Sequence, residues 1–362
     1  MPALRLYAGP AAKRHIERNG LKPEDVGIVP AAAGGPKGLV LGPLDRFLFG
    51  EWLAATTHPV QLVGASIGAW RMATACLRDP VPAFERLERD YIAQEYELEP
   101  GRKAPTARHV SERFSLNLES FYGGRIGEVL SHPRYRLHIV TSRGRHVLGR
   151  EHRLGTPLGY LGAFLANGIR RKAMGAWLER VVFSSPQDGG ATALPFDTAD
   201  YRTRQVPLTE ANFRPALQAS CSIPFVLNAV HDIPGAPPGA YWDGGITDYH
   251  LHLAYRAPGE AGIVLYPHFQ KAVVPGWLDK PWKKRHLATP ALDAMLVLAP
   301  DLEWVARLPN AKLPDRTDFT RYGTDLQARV KAWSAAVAMS RELADEFAEW
   351  LRDPDPGRIE AL

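Results

Sequence analysis

Short apolar runs and longer amphipathic stretches alternate through the first eighty residues of the chain. Leu4-Arg5-Leu6-Tyr7, Val26-Gly27-Ile28-Val29 and Val60-Gln61-Leu62-Val63 are β-branched or apolar segments of strand length. Ala11 to Arg18 and Ala69 to Leu77 have helical propensity, and Gly20 supplies a stop for the first. Leu39 to Leu53 is a further helix-like run, broken in register only at Gly42-Pro43 and Gly50. Strand, helix, strand, helix in this order predicts a parallel, doubly wound α/β sheet, whose ligands bind beyond the carboxyl ends of the strands.

From Val81 to His132 the pattern turns charged and helix-rich, with polar breaks at Glu99-Pro100-Gly101 and Gly123-Gly124, and predicts an inserted helical cover. Tyr135 to Thr141 alternates as a sheet strand, Tyr160 to Leu178 reads as one helix, and Arg180 to Ser184 as a strand. Asn212 to Ser220 is a short helical window, Tyr241 to Gly245 a loop, and Gly262 to Pro267 a buried strand. Leu326, Val330, Trp333, Val337, Phe347 and Leu351 recur near helical spacing, which predicts one long helix from Asp325 to Leu351. With no repeat and no low-complexity linker, residues 1–362 are expected to form a single domain: a motif-bearing core at 26–248, the insert at 81–132 and a C-terminal extension at 268–362.

Composition narrows the class. At 45% hydrophobic residues the chain has ample material for a core. Its net charge of +5 comes from 44 basic and 39 acidic residues that are interspersed, and no nucleic-acid-binding signature accompanies them, so nucleic acid is not an expected partner. Cys76 and Cys221 cannot build a disulfide framework, the residues after Met1 lack the apolar core of a secretory signal, and no apolar stretch reaches membrane-spanning length. The cytoplasm is the expected compartment.

Three motifs carry chemistry. Val63-Gly64-Ala65-Ser66-Ile67-Gly68-Ala69 is a strand, a sharp Gly-x-Ser-x-Gly turn and the start of a helix, the arrangement that displays a nucleophilic serine. Gly64 and Gly68 leave room for a strained turn, and the following helix aims unpaired amides back at the serine. The competing reading is a tight turn whose serine only caps the helix. Upstream, Ala33-Gly34-Gly35-Pro36-Lys37-Gly38 lies between a strand and a helix, so its amides can form a nest for negative charge. It is not a phosphate loop, because Gly38 stands where the Walker pattern requires Ser or Thr. As an oxyanion hole it fits, with each donor there typically worth about 3 to 4 kcal/mol of barrier. Ser66 also needs a base, and Asp243 in Trp242-Asp243-Gly244-Gly245 is the candidate, set against an ordinary Asp-Gly-Gly turn.

In this order, the glycine loop, the Ser66 turn and the Asp243-Gly244-Gly245 turn resemble the patatin-like phospholipases. Pro215 to Pro224, ending Ala219-Ser220-Cys221-Ser222-Ile223-Pro224, is similar to that family's Ala-Ser-x-[Ala/Ser]-x-Pro stretch, which precedes the aspartate and helps shape the site. The resemblance covers Val26 to Asp248 apart from the insert. It implies a patatin-type three-layer α/β/α fold with a mainly parallel central sheet and inserted helices. It also implies a lipid acyl hydrolase that uses a Ser-Asp dyad without histidine; separately, no metal or other cofactor is expected. On that resemblance Ser66 is the nucleophile and Asp243 the base, Gly34, Gly35, Lys37 and Gly38 form the oxyanion hole, and Gly64 and Gly68 flank the elbow. Two departures stand out: Ala33 replaces the first glycine of the loop, and Gln218 stands where an arginine is common.

Other readings compete. His250, His252 and His268 follow Asp243 in the chain order of a Ser-His-Asp α/β-hydrolase, and His250-Leu251-His252 could put two imidazoles on one strand face as in some metal sites. A silent lipid-binding protein of the same fold is the third. Trp277-Leu278-Asp279-Lys280-Pro281-Trp282-Lys283-Lys284-Arg285 interleaves aromatic and basic residues as segments at a lipid headgroup boundary do, the alternative being a solvated loop with its tryptophans packed on the core. The expected partners are therefore a lipid or other acyl ester and, peripherally, a membrane.

Overall fold

The computed structural model describes residues 2–97, 101–102, 104–187, 190–256 and 262–362. Its strands are, in chain order, β1 (Leu4–Ala8), β2 (Val26–Ala31), β3 (Val60–Ala65), β4 (Tyr135–Gly144), β5 (Leu178–Ser184), β6 (Pro186–Gln187), β7 (Gly190–Ala191), β8 (Thr203–Pro207), β9 (Val230–His231), β10 (Ala240–Asp243), β11 (Ile263–Pro267), β12 (Met295–Pro300) and β13 (Ile359–Ala361). Apart from the β6–β7 hairpin, they form one eleven-stranded sheet. Its centre runs β12-β11-β2-β3-β4 with every pairing parallel. Helices flank it, giving the expected three-layer α/β/α arrangement.

Alternation of side chains across the pleat divides the core in two. Leu62 and Leu298 enter one hydrophobic cluster, while Val63 and Val297 enter the cluster on the opposite face. Strands β2, β3 and β12 are almost wholly buried, which is why they read in the sequence as short, nearly continuous apolar runs. The first cluster is closed by the helices Pro10–Asn19, Ile67–Ala75, Glu210–Cys221 and Arg341–Arg352, whose apolar residues it contains.

Several expected elements change form. The run from Leu39 to Leu53 is not one helix but a 3₁₀ segment (Gly35–Leu41), an α turn (Gly42–Phe47), a π turn (Leu48–Trp52) and a second 3₁₀ turn. A side-chain carbon at Gly50 would strike Val81, so the close approach of this segment to its neighbouring helix requires glycine there. The helix expected from Tyr160 to Leu178 spans Gly155–Ile169 and gives way to a 3₁₀ segment and β5. It stops because Arg285 donates to Asn167 O at 2.8 Å, satisfying a terminal carbonyl from outside. The long C-terminal helix is two, Leu326–Met339 and Arg341–Arg352. At the break the Ser340 hydroxyl donates back to Val337 O at 2.8 Å, in competition with the ladder. Tyr241-Trp242-Asp243, expected in a loop, is instead strand β10. Glu99 and Pro100, the polar break expected in the insert, lie outside the described residues; the helices Pro80–Ile92, Ala107–Tyr122 and Ile126–Leu130 account for most of the rest of it.

A buried ion pair ties the segment after the glycine loop to the helix after Ser66. Arg71 Nε and Nη2 donate to Asp45 Oδ2 and Oδ1 at 2.6 and 2.7 Å, both side chains being almost fully enclosed. Truncating one partner leaves the other charge buried and unpaired. Asp45→Ala is expected to destabilise the fold by about 3–5 kcal/mol, read as a lower midpoint in urea denaturation.

Candidate active site

The site is built where two strands meet head-on along one edge of β4. Strand β3 runs parallel to β4 and ends with Ala65 opposite Val140; β10 runs antiparallel and ends with Asp243 opposite Thr141, the next residue. The other edge of β4 is taken by β5. Both incoming chains must therefore leave the sheet within a residue of each other, and their turns carry Ser66 and Asp243. Ser66 Oγ donates to Asp243 Oδ2 at 2.7 Å.

Ser66 leaves β3 with φ 57° and ψ −130°, a region that non-glycine residues sparsely occupy, and the helix Ile67–Ala75 begins at once. Neighbouring backbone crosses too closely for side chains on either side of it: a carbon at Gly64 would strike Ala69, and one at Gly68 would strike Ala31 O. The serine backbone is also latched to β4. Ser66 N donates to Ser220 Oγ at 2.9 Å, and that hydroxyl donates to Val140 O at 2.7 Å. Ser222 O in turn accepts from Asp243 N at 2.9 Å. The two serines of the Ala219 to Pro224 stretch thus hold one backbone each, a role that the motif alone did not disclose. Gln218, the departure beside it, donates to Ser111 O at 3.2 Å and so fastens this helix to the inserted one.

Asp243 is buried, with its second oxygen accepting from Gly245 N at 2.7 Å and Ser142 Oγ donating to its carbonyl at 2.9 Å. Burial pushes its carboxyl above the usual range, while the Ser66 hydroxyl, Arg316, the Gly245 amide and Lys280 pull it back down. Lys280, 4.1 Å from the Tyr249 ring centroid, is itself lowered to about 8 by burial and by the nearby Lys37 and Arg316. Cys221 lies beside the dyad; burial and then the Asp243 carboxylate push its thiol up, with Arg316 and Ser66 acting the other way. Neither Arg316 nor Tyr160 was singled out in the sequence. Arg316 lies far downstream in a region without motifs, and Tyr160, whose buried hydroxyl has no hydrogen-bond partner among the described residues and feels Asp243, sits inside an apolar helix.

The glycine loop closes the third side. Gly35 has φ 57° and opens a 3₁₀ helix, and a side-chain carbon at Gly34 would lie 2.6 Å from the Phe269 ring. Gly38 packs on Ile67, the residue after the serine, leaving 3.2 Å for a side-chain carbon. Ala33 explains its own departure: its amide is committed to Tyr249 O at 2.9 Å, and its Cβ occupies the space beside Gly245. Lys37 Nζ lies 5.3 Å from the Phe269 centroid, and burial lowers its pKa.

The histidines stand elsewhere. His250 Nδ1 lies 3.1 Å from Val274 N and from Ala272 O, His252 bonds Val273 O and Thr289, and His268 bonds Gln270 O. Burial drives all three toward the neutral form. With Ser66 directly on Asp243 no imidazole lies between them, against the Ser-His-Asp reading. No group of three or more His, Cys, Asp or Glu side chains able to hold a metal occurs among the described residues.

A serine on a strand-to-helix elbow, bonded to a carboxylate from an opposed strand and bordered by a glycine nest, defines a serine-carboxylate α/β protein. The patatin-like phospholipase family model matches residues 33–251, more than half of the chain, and takes in every one of these motifs; the chain belongs to that family of lipid acyl hydrolases. No curated protein matches it.

Because the Arg316 charge favours the ionised form of Asp243, Arg316→Gln is expected to move the Asp243 titration to higher pH. Carboxyl-carbon NMR titration of the two proteins reads the shift, and a midpoint that stays or falls contradicts the assigned field.

Proposed function

We propose that the protein is a serine acyl hydrolase of phospholipase A or lysophospholipase type, acting through a Ser66-Asp243 dyad as a cytoplasmic enzyme in peripheral contact with membranes, and that residues 1–362 work as one domain. The observation that carries this reading is the 2.7 Å hydrogen bond from the Ser66 hydroxyl to Asp243. The single-domain reading draws on β12 and β13, which come from the C-terminal extension and pair with the N-terminal β1.

In the proposed reaction Ser66 Oγ attacks the ester carbonyl as its proton passes to Asp243. The tetrahedral oxyanion is received by amides of the loop bearing Gly34, Gly35, Lys37 and Gly38. Asp243 then returns the proton to the departing alcohol, leaving an acyl group on Ser66. Water, deprotonated by Asp243, releases the fatty acid. A carboxylate at its ordinary pKa is a weak base near neutrality, and burial, by raising the Asp243 pKa, strengthens it. Arg316 and Lys280 favour its ionised form, the form that can accept the proton.

The charge around the dyad supports a phosphate-bearing ester over a neutral glyceride. Lys37, Lys280 and Arg316 make no ion pair among the described residues, and Lys280 and Arg316 both act on Asp243. Arg316 Nε lies 3.3 Å from the position of a Gly35 side-chain carbon. A phosphodiester near the glycine loop meets these cations, and a glyceride offers them no negative charge beyond those of Asp243 and Asp315.

Ser66→Ala and Asp243→Asn are each expected to lower ester hydrolysis by about a thousandfold or more in proteins that melt like the wild type, and Ser66→Ala to abolish labelling by a fluorophosphonate. Substantial turnover by either variant removes the dyad, and wild-type protein that fails to label favours a silent lipid-binding protein. Lys280→Ala is expected to raise KM for a lysophospholipid at least several-fold while leaving KM for a neutral p-nitrophenyl ester within about twofold, any change in kcat through Asp243 falling on both substrates alike. Equal effects on both KM values would count against the headgroup role.

A further inference from the structure

The helix Gly155–Ile169 turns a stripe of apolar residues outward. Leu154, Leu158, Leu161, Leu165 and Ile169 follow one another at three- and four-residue steps along one face, and each is between 54% and 87% exposed. The helix contains no charged residue, so this face has no polar alternative to offer water. Its inward face carries Tyr160 and Ala163 into a cluster with Trp242, Ile246 and Leu278.

More exposed aromatics flank the stripe. Phe225, held at φ 68°, packs edge-on to Tyr160 at 6.1 Å, and Trp282 stacks on Phe164 at 6.2 Å. Trp277 stands half exposed in the same segment as Trp282. A contiguous apolar surface of this kind marks a binding face.

The exposed charges bordering it are mainly basic. Exposed Arg153 precedes the helix, exposed Arg170 and Lys172 follow it, and Lys283 and Lys284 flank Trp282. No Asp or Glu occurs between His152 and Leu178, between Cys221 and His231, or between Lys280 and Leu292; Asp279, between the two tryptophans, is buried and paired with Arg171 and Arg285, and Asp232 at the margin is paired with Arg150. A second copy docked across a two-fold axis would set these cations against their own counterparts without carboxylates to pair them. An anionic bilayer supplies what the face lacks: hydrocarbon for the leucines, a headgroup zone for the tryptophans and phosphates for the lysines and arginines.

We infer that this face is the membrane-docking surface and that it seats the protein on anionic lipid with the Asp243 side of the site next to the bilayer. The placement is direct. Tyr160, on the underside of the docking helix, packs at 6.0 Å on Trp242, the residue before Asp243, and Phe225 lies three residues after Ser222, whose carbonyl holds Asp243. The inference deepens the acyl-hydrolase reading and rests on it for the direction of substrate entry, while docking itself is measurable without turnover.

The test uses the full-length Ser66→Ala protein and co-sedimentation with vesicles of phosphatidylcholine alone or mixed with phosphatidylglycerol. Binding is expected to the mixed vesicles, to weaken with salt, and to fall at least about tenfold in partition coefficient when Leu158, Leu161 and Leu165 are all changed to Ser. Lys283→Glu with Lys284→Glu is expected to remove the preference for anionic vesicles. In the Ser66 background the leucine variant should hydrolyse a water-soluble p-nitrophenyl ester like the wild type while losing activity on vesicle lipid. Mixed-vesicle binding that is absent, or unchanged by the leucine substitutions, overturns the inference. So does a leucine variant that binds vesicles normally but turns a dimer into a monomer in light scattering, which would make the face a contact between copies. Wild-type protein that binds vesicles but hydrolyses no ester instead counts against the acyl-hydrolase reading alone.

Discussion

The arrangement depends on one lane of the sheet, the edge of β4 that two strands approach from opposite ends. Hydrogen-bond geometry allows each stretch of that edge a single partner, so where β3 stops at Val140 and β10 stops at Thr141 there is no room for either chain to continue. Each is forced out through a tight turn at the same point. The serine and the carboxylate meet because they occupy the first positions around these two turns. Ser220 and Ser222 then fasten both backbones from the adjacent helix. The spacing of the pair is thus set by the ladder of a buried strand, the least deformable part of the molecule, rather than by loops.

Electrostatics finishes what the sheet begins. Enclosure raises the proton affinity of Asp243, and cations from two distant segments hold that rise in check. Arg316 comes from the C-terminal extension and Lys280 from the Trp-rich segment, so parts of the chain that lie outside the motif-bearing core act on its central carboxylate. The Trp-rich segment has a second duty, since Arg285 caps the apolar helix Gly155–Ile169 and Trp282 packs on it. One stretch of sequence links the charge of the site to its outer face.

Local signals explain what could be read in the sequence. Strands β2, β3 and β11 are buried on both faces, and their apolar composition marked them, as glycine spacing marked the Ser66 turn and the glycine loop. The misread elements share a different cause. Asp243 was expected in a loop because Gly244 and Gly245 dominate the local pattern, yet β10 is a strand by virtue of pairing with β4, a hundred residues away. The helix after Tyr160 was expected to run on to Leu178 because its end is set by Arg285, again from afar. β12, wholly apolar and buried, went unassigned in a region where no motif drew attention to it. Arg316 and Tyr160 belong to the same class: nothing near them in the chain refers to the carboxylate they face.

The strained backbone at Ser66 has a consequence for how such a sequence persists. A φ of 57° with ψ of −130° is a conformation that costs a serine on the order of 1–3 kcal/mol and a glycine far less. At this position, then, the residue best for folding and the residue needed for a hydroxyl nucleophile are different. A lineage drifting under selection for stability alone would lose the serine early, and would gain robustness as it did so. A serine held in this conformation thus trades fold stability for a hydroxyl at the mouth of the turn.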